Sequence, residues 1–245
     1  CAQHMAAFFI SLELLSVPLY GLLAYTFSRN PSLESGLKYL VLSATASATL
    51  LMGMAFIYAQ VGALGFKQIS VVLVNAYDSP LVILGAAMMM FGIAFKLSAA
   101  PFHMWTPDVY EGGPAPIATY LASVSKVAMM ALAVRFLLDT ALLALPSVQM
   151  LLMVMATLSI LIGNMLALRQ SNLKRLLGYS SIAHMGYVLI VVVSIGAAAD
   201  SVSSMYMAVY AFTSIGAFGV VTLMSSPYRL SGEADKLVYY GVVRY

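Results

Sequence analysis

Five ionisable side chains stand inside stretches otherwise built of Leu, Ala, Val and Met. Glu13 lies in "FISLELLSVPLYGLLAY", Lys38 in "GLKYLVLSATASATL", Lys96 in "FGIAFKLSAAPFHMW", Lys126 in "ATYLASVSKVAMMALAV" and His184 in "LLGYSSIAHMGYVLI". A charged group at mid-membrane costs about 2.5 to 3.5 kcal/mol on insertion scales, so a chain keeps one only with a partner, a water cavity or a task. Carboxylate, amine and imidazole share one chemistry, which is to take up and release protons. A lysine near a carboxylate holds its proton when the pair is close and yields it more readily when they separate. Glu13 is therefore read as a group that sets the proton affinity of Lys96 or Lys38.

Plainer readings exist for most of these residues. Lys38 stands near a helix end, where its stem allows the ammonium to reach the headgroups. His184 is equally read as a packed histidine bonded across helices. Glu13 and Lys96 can be a structural ion pair, and Arg135 and Arg169 are end anchors. Lys126 is harder to dismiss, because apolar residues extend too far on both sides for comfortable snorkelling. Pro101 supplies a mechanical clue. It has no amide proton, so a helix running through it leaves the Leu97 carbonyl without its usual partner, beside Lys96. Freed carbonyls in a membrane are tolerated where water or side chains satisfy them, as at the ion sites of broken transporter helices. A lysine there can be hydrated and yet partly desolvated, the condition for loading and releasing a proton.

The elements that must hold these groups are membrane helices. Of 245 residues 62% are hydrophobic and 9% charged, with a mean hydropathy of +0.94, which excludes an ordinary soluble domain. A hydrocarbon core of ~30 Å requires about 20 apolar helical residues. Seven stretches meet that requirement, at approximately 4–27, 36–59, 80–101, 115–138, 147–168, 174–197 and 203–225. The fold class is all-α, a multi-spanning bundle, read as one transmembrane domain over 1–245. "SRNPSLESG", "TPDVYEGGPAP", "LPS", "RQSNLKR" and "SSPYRLSGEADK" mark turns, and "VGALGFKQISVVLVNAYDS" is long enough for a short interfacial segment. Alternating loops put Arg29, Lys38, Arg169, Lys174, Arg175, Arg229, Lys236 and Arg244 on one side, with Lys67 and Arg135 on the other. The first side is thus read as cytoplasmic.

The lone Cys1 forms neither an internal disulfide nor a cysteine-held cluster, so redox chemistry is assigned to other chains. A phosphate loop, metal-ligand spacing and a nucleophile–base pair are all missing from the sequence, and the basic residues are too scattered for nucleic acid. Retinal proteins also have seven helices but hold the chromophore on a lysine of the last one, and the last helix here has none. The start at "CAQHMAAFFISLELL", without Met, reads as a fragment or an internal start.

With "KYLVLSATASATLLMGMAFIYA", "FKLSAAPFHMWTPDVYEGGPAP", "ASVSKVA", "NMLALRQSNLKRLLGYSSIAHMGY" and "GAFGVVTLMSSPYR" in view, the sequence resembles the antiporter-like membrane subunits of respiratory NADH:quinone oxidoreductase (complex I). "GAFGVV" and "SSPYR" favour the subunit N branch. The resemblance implies two inverted five-helix repeats, each with a discontinuous helix. Here these would be most of the first repeat, about 1–142, with its break near Lys96 and Pro101, and the first part of the second, about 147–245. It further implies that Glu13 communicates with a neighbouring subunit. Lys96 is then the principal lysine, Lys126 a connecting one, Lys38 an accessory one and His184 a central-axis group. NADH, FMN, iron–sulfur clusters and quinone would belong to other subunits. The partners would be neighbouring antiporter-like subunits and the lipid bilayer, without nucleic acid, in a bacterial inner (cell) membrane rather than an organellar one. A subunit of a multi-subunit sodium/proton antiporter or membrane-bound hydrogenase shares the same core motifs. A non-conducting structural membrane subunit is the third reading.

Overall fold

The computed structural model of the protein describes residues 2–26, 30–73, 76, 79–195 and 199–224. Arg29, Arg229, Lys236, Arg244 and the "SSPYRLSGEADK" stretch lie outside the described residues. The described elements are α1 (Met5–Leu23), α2 (Asn30–Val61), α3 (Phe66–Leu73), α4 (Pro80–Leu97), α5 (Trp105–Gly112), α6 (Ala115–Tyr120), α7 (Lys126–Asp139), α8 (Pro146–Ala167), α9 (Leu173–Ile195) and α10 (Ala199–Met224). A π-helical turn, Leu121–Ser125, joins α6 to α7. Seven helices among the described residues are long and apolar enough to cross a membrane, counting Ala115–Asp139 as one. The long link between α2 and α4 contains the short helix α3.

α1 ends at Leu23 rather than 27 and α10 begins at Ala199 rather than 203, and two further boundaries depart from the expected ones for a local reason. α2 begins at Asn30, so most of the presumed turn "SRNPSLESG" is helical. Pro31 falls in the first turn, where a missing N–H breaks no bond. Ser32 donates to the Leu23 carbonyl at 2.5 Å and Ser35 to the Pro31 carbonyl at 2.8 Å. α4 ends at Leu97, four residues before Pro101. Ser98 takes the left-handed conformation at φ 62°, its N–H turned back to the Ala94 and Phe95 carbonyls, and the Ala99 N–H reaches Ala94 at 2.8 Å. That is a helix stop of the Schellman kind. The break therefore opens at a cap directly after Lys96, and Pro101 lies inside it rather than causing it.

Beyond the cap, other elements take over the backbone groups that the helix gives up. Ala100 N–H donates to Ser159 Oγ on α8 at 2.8 Å, and Trp105 Nε1 donates to the Phe95 carbonyl at 3.0 Å. The segment read as the turn "TPDVYEGGPAP" is mostly α5, a short second half-helix. It lies between α2 and α9, close to both. A Cβ on Gly112 would come within 2.1 Å of Ser35 Oγ, and one on Gly178 within 3.2 Å of the Pro107 Cα.

Apolar association in lipid lacks a hydrophobic drive, so helices associate through close contact. α2 meets α4 through glycine: a Cβ on Gly53 would stand 2.6 Å from the Gly85 carbonyl oxygen. α8 meets α9 in the same manner, and a Cβ on Gly163 would stand 2.7 Å from Ala183 N. One large apolar cluster includes Phe8, Leu50, Met89, Phe136, Met155 and Val188. A second, aromatic cluster gathers Tyr39, Phe95, Trp105, Tyr110 and Phe218 around the break. Large apolar side chains such as Leu14, Leu168 and Phe212 remain exposed, as lipid-facing positions would.

Because the Gly53 contact is with backbone, Gly53→Leu must force α2 and α4 apart. Overpacking of this kind costs about 3 kcal/mol. A lower unfolding midpoint of the detergent-solubilised protein is the expected result, whereas Gly216→Ala, inside α10 where a new Cβ meets nothing within 4 Å, does not lower that midpoint.

Candidate functional site

The deepest polar groups form two lysine sites beside the break. Lys96, at the last turn of α4, is 6% exposed. Its Nζ donates to Ser16 Oγ of α1 and Ser43 Oγ of α2, each at 2.6 Å. These serines are held for the task. Ser16 donates its own proton to the Leu12 carbonyl at 2.7 Å, and Ser43 also accepts from the Tyr20 hydroxyl at 3.0 Å. The Tyr39 ring faces the same ammonium, with its centroid 5.7 Å away. A cavity of about 660 Å³ lined by α1 and α7 reaches Lys96 from Leu12, Leu15 and Met129, with Arg135, Asp139 and Asp200 also on its wall.

Lys126 follows directly on the π-helical turn and is 1% exposed. Its Nζ donates to Ser181 Oγ of α9 and faces the Tyr110 ring, whose centroid is 5.8 Å away. The two sites are thus built alike, from a lysine, hydroxyls contributed by other helices and one tyrosine ring. The hydroxyls of Tyr110 and Tyr210, both fully buried, make no hydrogen bond among the described residues. Further along α9, His184 Nδ1 lies 2.7 Å from the Tyr206 hydroxyl, and its ring is close to those of Tyr187 and Tyr210.

The ion pairs differ from those expected. Glu13 accepts from Ser47 on α2 and is not bonded to Lys96. It nevertheless stands one turn from Ser16 on α1, as Ser47 does from Ser43 on α2, so the carboxylate and Lys96 occupy successive polar layers between the same helices. Lys38 pairs with Glu34 at 2.7 Å and with Asp108 Oδ2 at 3.0 Å, away from Glu13. It is neither a lone snorkelling lysine nor a partner of Glu13. Arg135 is paired with Asp139 at 3.2 Å.

Sequence reading missed the ion cluster at the end of α5. Arg175 Nη1 meets Asp108 Oδ1 at 2.7 Å and Glu111 Oε2 at 2.8 Å. Asn172 donates to Glu111 Oε1 at 3.0 Å, and Lys174 Nζ donates to the Glu111 and Gly113 carbonyls at 3.2 and 3.1 Å. Burial pushes the Asp108 carboxyl upward, but the hydrogen bonds from Lys38 and Arg175 outweigh it and hold the group below its ordinary range. Charge alternation in "TPDVYEGG" and "NLKR" carried the signal, without saying which charges meet. Among the described residues no set of three His, Cys, Asp or Glu is placed to hold a metal ion. Chemically, the arrangement can hold and exchange protons on two amines that lack a direct carboxylate partner.

Comparison with known proteins gives consistent answers. The family described as NADH:quinone oxidoreductase/Mrp antiporter, TM matches residues 2–242. NADH-quinone oxidoreductase subunit N of Psychrobacter arcticus is 84% identical over 240 residues, which is 98% of this chain and 49% of that protein. Its counterpart in Acinetobacter baumannii is 56% identical over 98% of the chain and 48% of its own length. The chain thus spans about half the length of the curated relatives it matches. Among solved structures, a chain of respiratory complex I from Thermus thermophilus is 35% identical with a TM-score of 0.76, over 91% of this chain and 47% of that one. A chain of the Mrp complex from a Dietzia species is 20% identical with a TM-score of 0.82, over 96% and 46%, and so shares the fold. On the family match along almost its whole length, this all-α membrane chain belongs to the NADH:quinone oxidoreductase/Mrp antiporter transmembrane family.

Proposed function

We propose that this chain is part of a proton-translocating subunit of a bacterial NADH:quinone oxidoreductase. It would take no part in the redox chemistry, which lies in other subunits together with NADH, FMN, iron–sulfur clusters and quinone. The observation that carries the reading is the pair of buried lysines, Lys96 held by two serine hydroxyls and Lys126 by one, each with a tyrosine ring instead of a carboxylate. An ammonium has three donors, and Lys96 commits two of them to neutral oxygens. A neutral amine fits the same hydroxyls, so loss of the proton strands no buried counter-charge. The likeness to subunit N of Psychrobacter arcticus supports the NADH:quinone assignment over that of a sodium/proton antiporter.

In this reading Glu13 is the group through which a neighbouring membrane subunit acts. Its charge lies one polar layer from Lys96, and a shift there changes how strongly Lys96 holds its proton. Lys126 receives the proton next, and His184 with Tyr206 continues the route along α9. Lys38, tied to Asp108, stands at the entry end. The repeats are assigned as about 1–142 and 147–245, with the break after Lys96 belonging to the first. The protein would reside in the bacterial inner membrane beside other antiporter-like subunits.

Two measurements test this in the assembled complex reconstituted in vesicles. Lys126→Ala and Lys96→Ala should each slow NADH-driven proton translocation about tenfold, equivalent to roughly 1.4 kcal/mol on the barrier; a rate that stays at the wild-type value would leave a structural subunit as the answer. Ser181→Ala should slow translocation less, about threefold, near the roughly 0.5 to 1.5 kcal/mol of one hydrogen bond. Ser181→Thr, which keeps the hydroxyl, should restore the rate.

A further inference from the structure

α5 touches both lysine sites. Its first residue, Trp105, packs against Tyr39 with centroids 5.0 Å apart and the rings inclined at 47°, and Tyr39 is the ring that faces Lys96. Tyr110, on the same short helix, is the ring that faces Lys126. Between them stands Asp108, whose two oxygens face different helices: Oδ2 meets Lys38 of α2 at 3.0 Å, and Oδ1 meets Arg175 of α9 at 2.7 Å. Lys38 immediately precedes Tyr39, so the Asp108–Lys38 pair and the Trp105–Tyr39 contact fix one register of α5 on α2. Arg175 lies on the same helix as Ser181, so the Asp108–Arg175 pair fixes α5 on the helix that supplies the hydroxyl to Lys126.

We propose that Asp108 is a positioning residue for both buried lysines, a two-armed clamp that sets α5 between α2 and α9 and thereby places Tyr39 over Lys96 and Tyr110 over Lys126. The clamp rests on the proton-route reading above for its consequence, and on the geometry alone for its existence. The charged groups facing it are Glu34 and Lys38 from α2, Glu111 from α5, and Lys174 and Arg175 from α9. Because the Asp108 carboxyl is held below its ordinary range, the clamp is charged through neutral pH and releases only as pH falls through that lowered value. Glu34 and Glu111 keep Lys38 and Arg175 neutralised when Asp108 is changed, so a substitution at Asp108 leaves no bare cations; it removes the ion pair between α5 and α2 outright and leaves the α9 side held through Glu111.

The test uses the complete complex in vesicles, comparing wild type with Asp108→Asn and Asp108→Glu and reading protons per electron against pH. Asp108→Asn should lower the ratio about threefold at neutral pH and displace the alkaline limb of the profile by at least about half a pH unit. Asp108→Glu should return both toward wild type. A general structural lesion lowers the ratio at every pH and leaves the limb in place, and that outcome, like an unchanged profile, overturns the clamp. If Asp108→Asn does not assemble, Arg175→Lys loosens the α9 arm, and its failure to move the limb overturns the clamp equally. Lys126→Ala in the same vesicles separates the two ideas. If it leaves pumping intact, the proton route falls; if it stops pumping while Asp108→Asn changes nothing, only the clamp falls.

Discussion

A buried ammonium must be satisfied without being trapped. Left alone in a low dielectric it is too costly to keep, and beside a bonded carboxylate its proton is held fast. Lys96 and Lys126 meet this constraint with neutral oxygens from other helices. Hydroxyls have short reach, so the helices that carry them must come close. For Lys96 the required elements are α1, α2 and α4, and the glycine contact of Gly53 with Gly85 supplies the α2–α4 approach. For Lys126 they are α7 and α9, with α9 in turn packed against α8 through Gly163.

The break follows from the same constraint. Lys96 lies in the last turn of α4, where its Nζ reaches between α1 and α2, and the cap at Ser98 ends the helix just beyond it. Stopping a helix inside the membrane releases carbonyls and amides. The Phe95 carbonyl is taken by Trp105 and the Ala100 amide by Ser159, so the groups that repair the break also fix the direction in which α5 leaves it. Packing, backbone satisfaction and the lysine site are therefore one arrangement rather than three.

Much of this was legible in the sequence. Apolar runs gave seven helices, because the length of a membrane span is written directly in hydropathy. The depth of Lys126 was visible for the same reason, and "VLSATASATL" and "GYSSIAHMGY" held the serines that serve the lysines. What was not legible was pairing. Glu13 looked like a partner for Lys96 or Lys38, yet it bonds Ser47, because the choice depends on the rotation of α1 against α2, which composition does not record. The start of α2 was misread since "NPSLESG" has turn composition, and only the contacts of Ser32 and Ser35 show that its polar groups are satisfied within a helix. Pro101 drew the break toward itself, whereas the stop is made by the conformation of Ser98, a residue with no strong preference for it.

The tyrosine rings complete the electrostatic argument. A ring face attracts an ammonium by about 0.5 to 2 kcal/mol, depending on how dry the site is. A bonded carboxylate in the same place would bind the charge far more firmly and would itself be left buried and charged when the proton departed. A ring has no such residue of charge. It favours a loaded lysine only modestly and costs an unloaded one almost nothing. Its effect depends on distance, however, and 5.7 and 5.8 Å are near the outer limit of useful contact. The attraction fades within about another ångström, so it persists only while the rings are held in place. Such weak partners require a well-anchored α5, and the ion cluster against it is only partly buried, so its charges are paired without full loss of solvent.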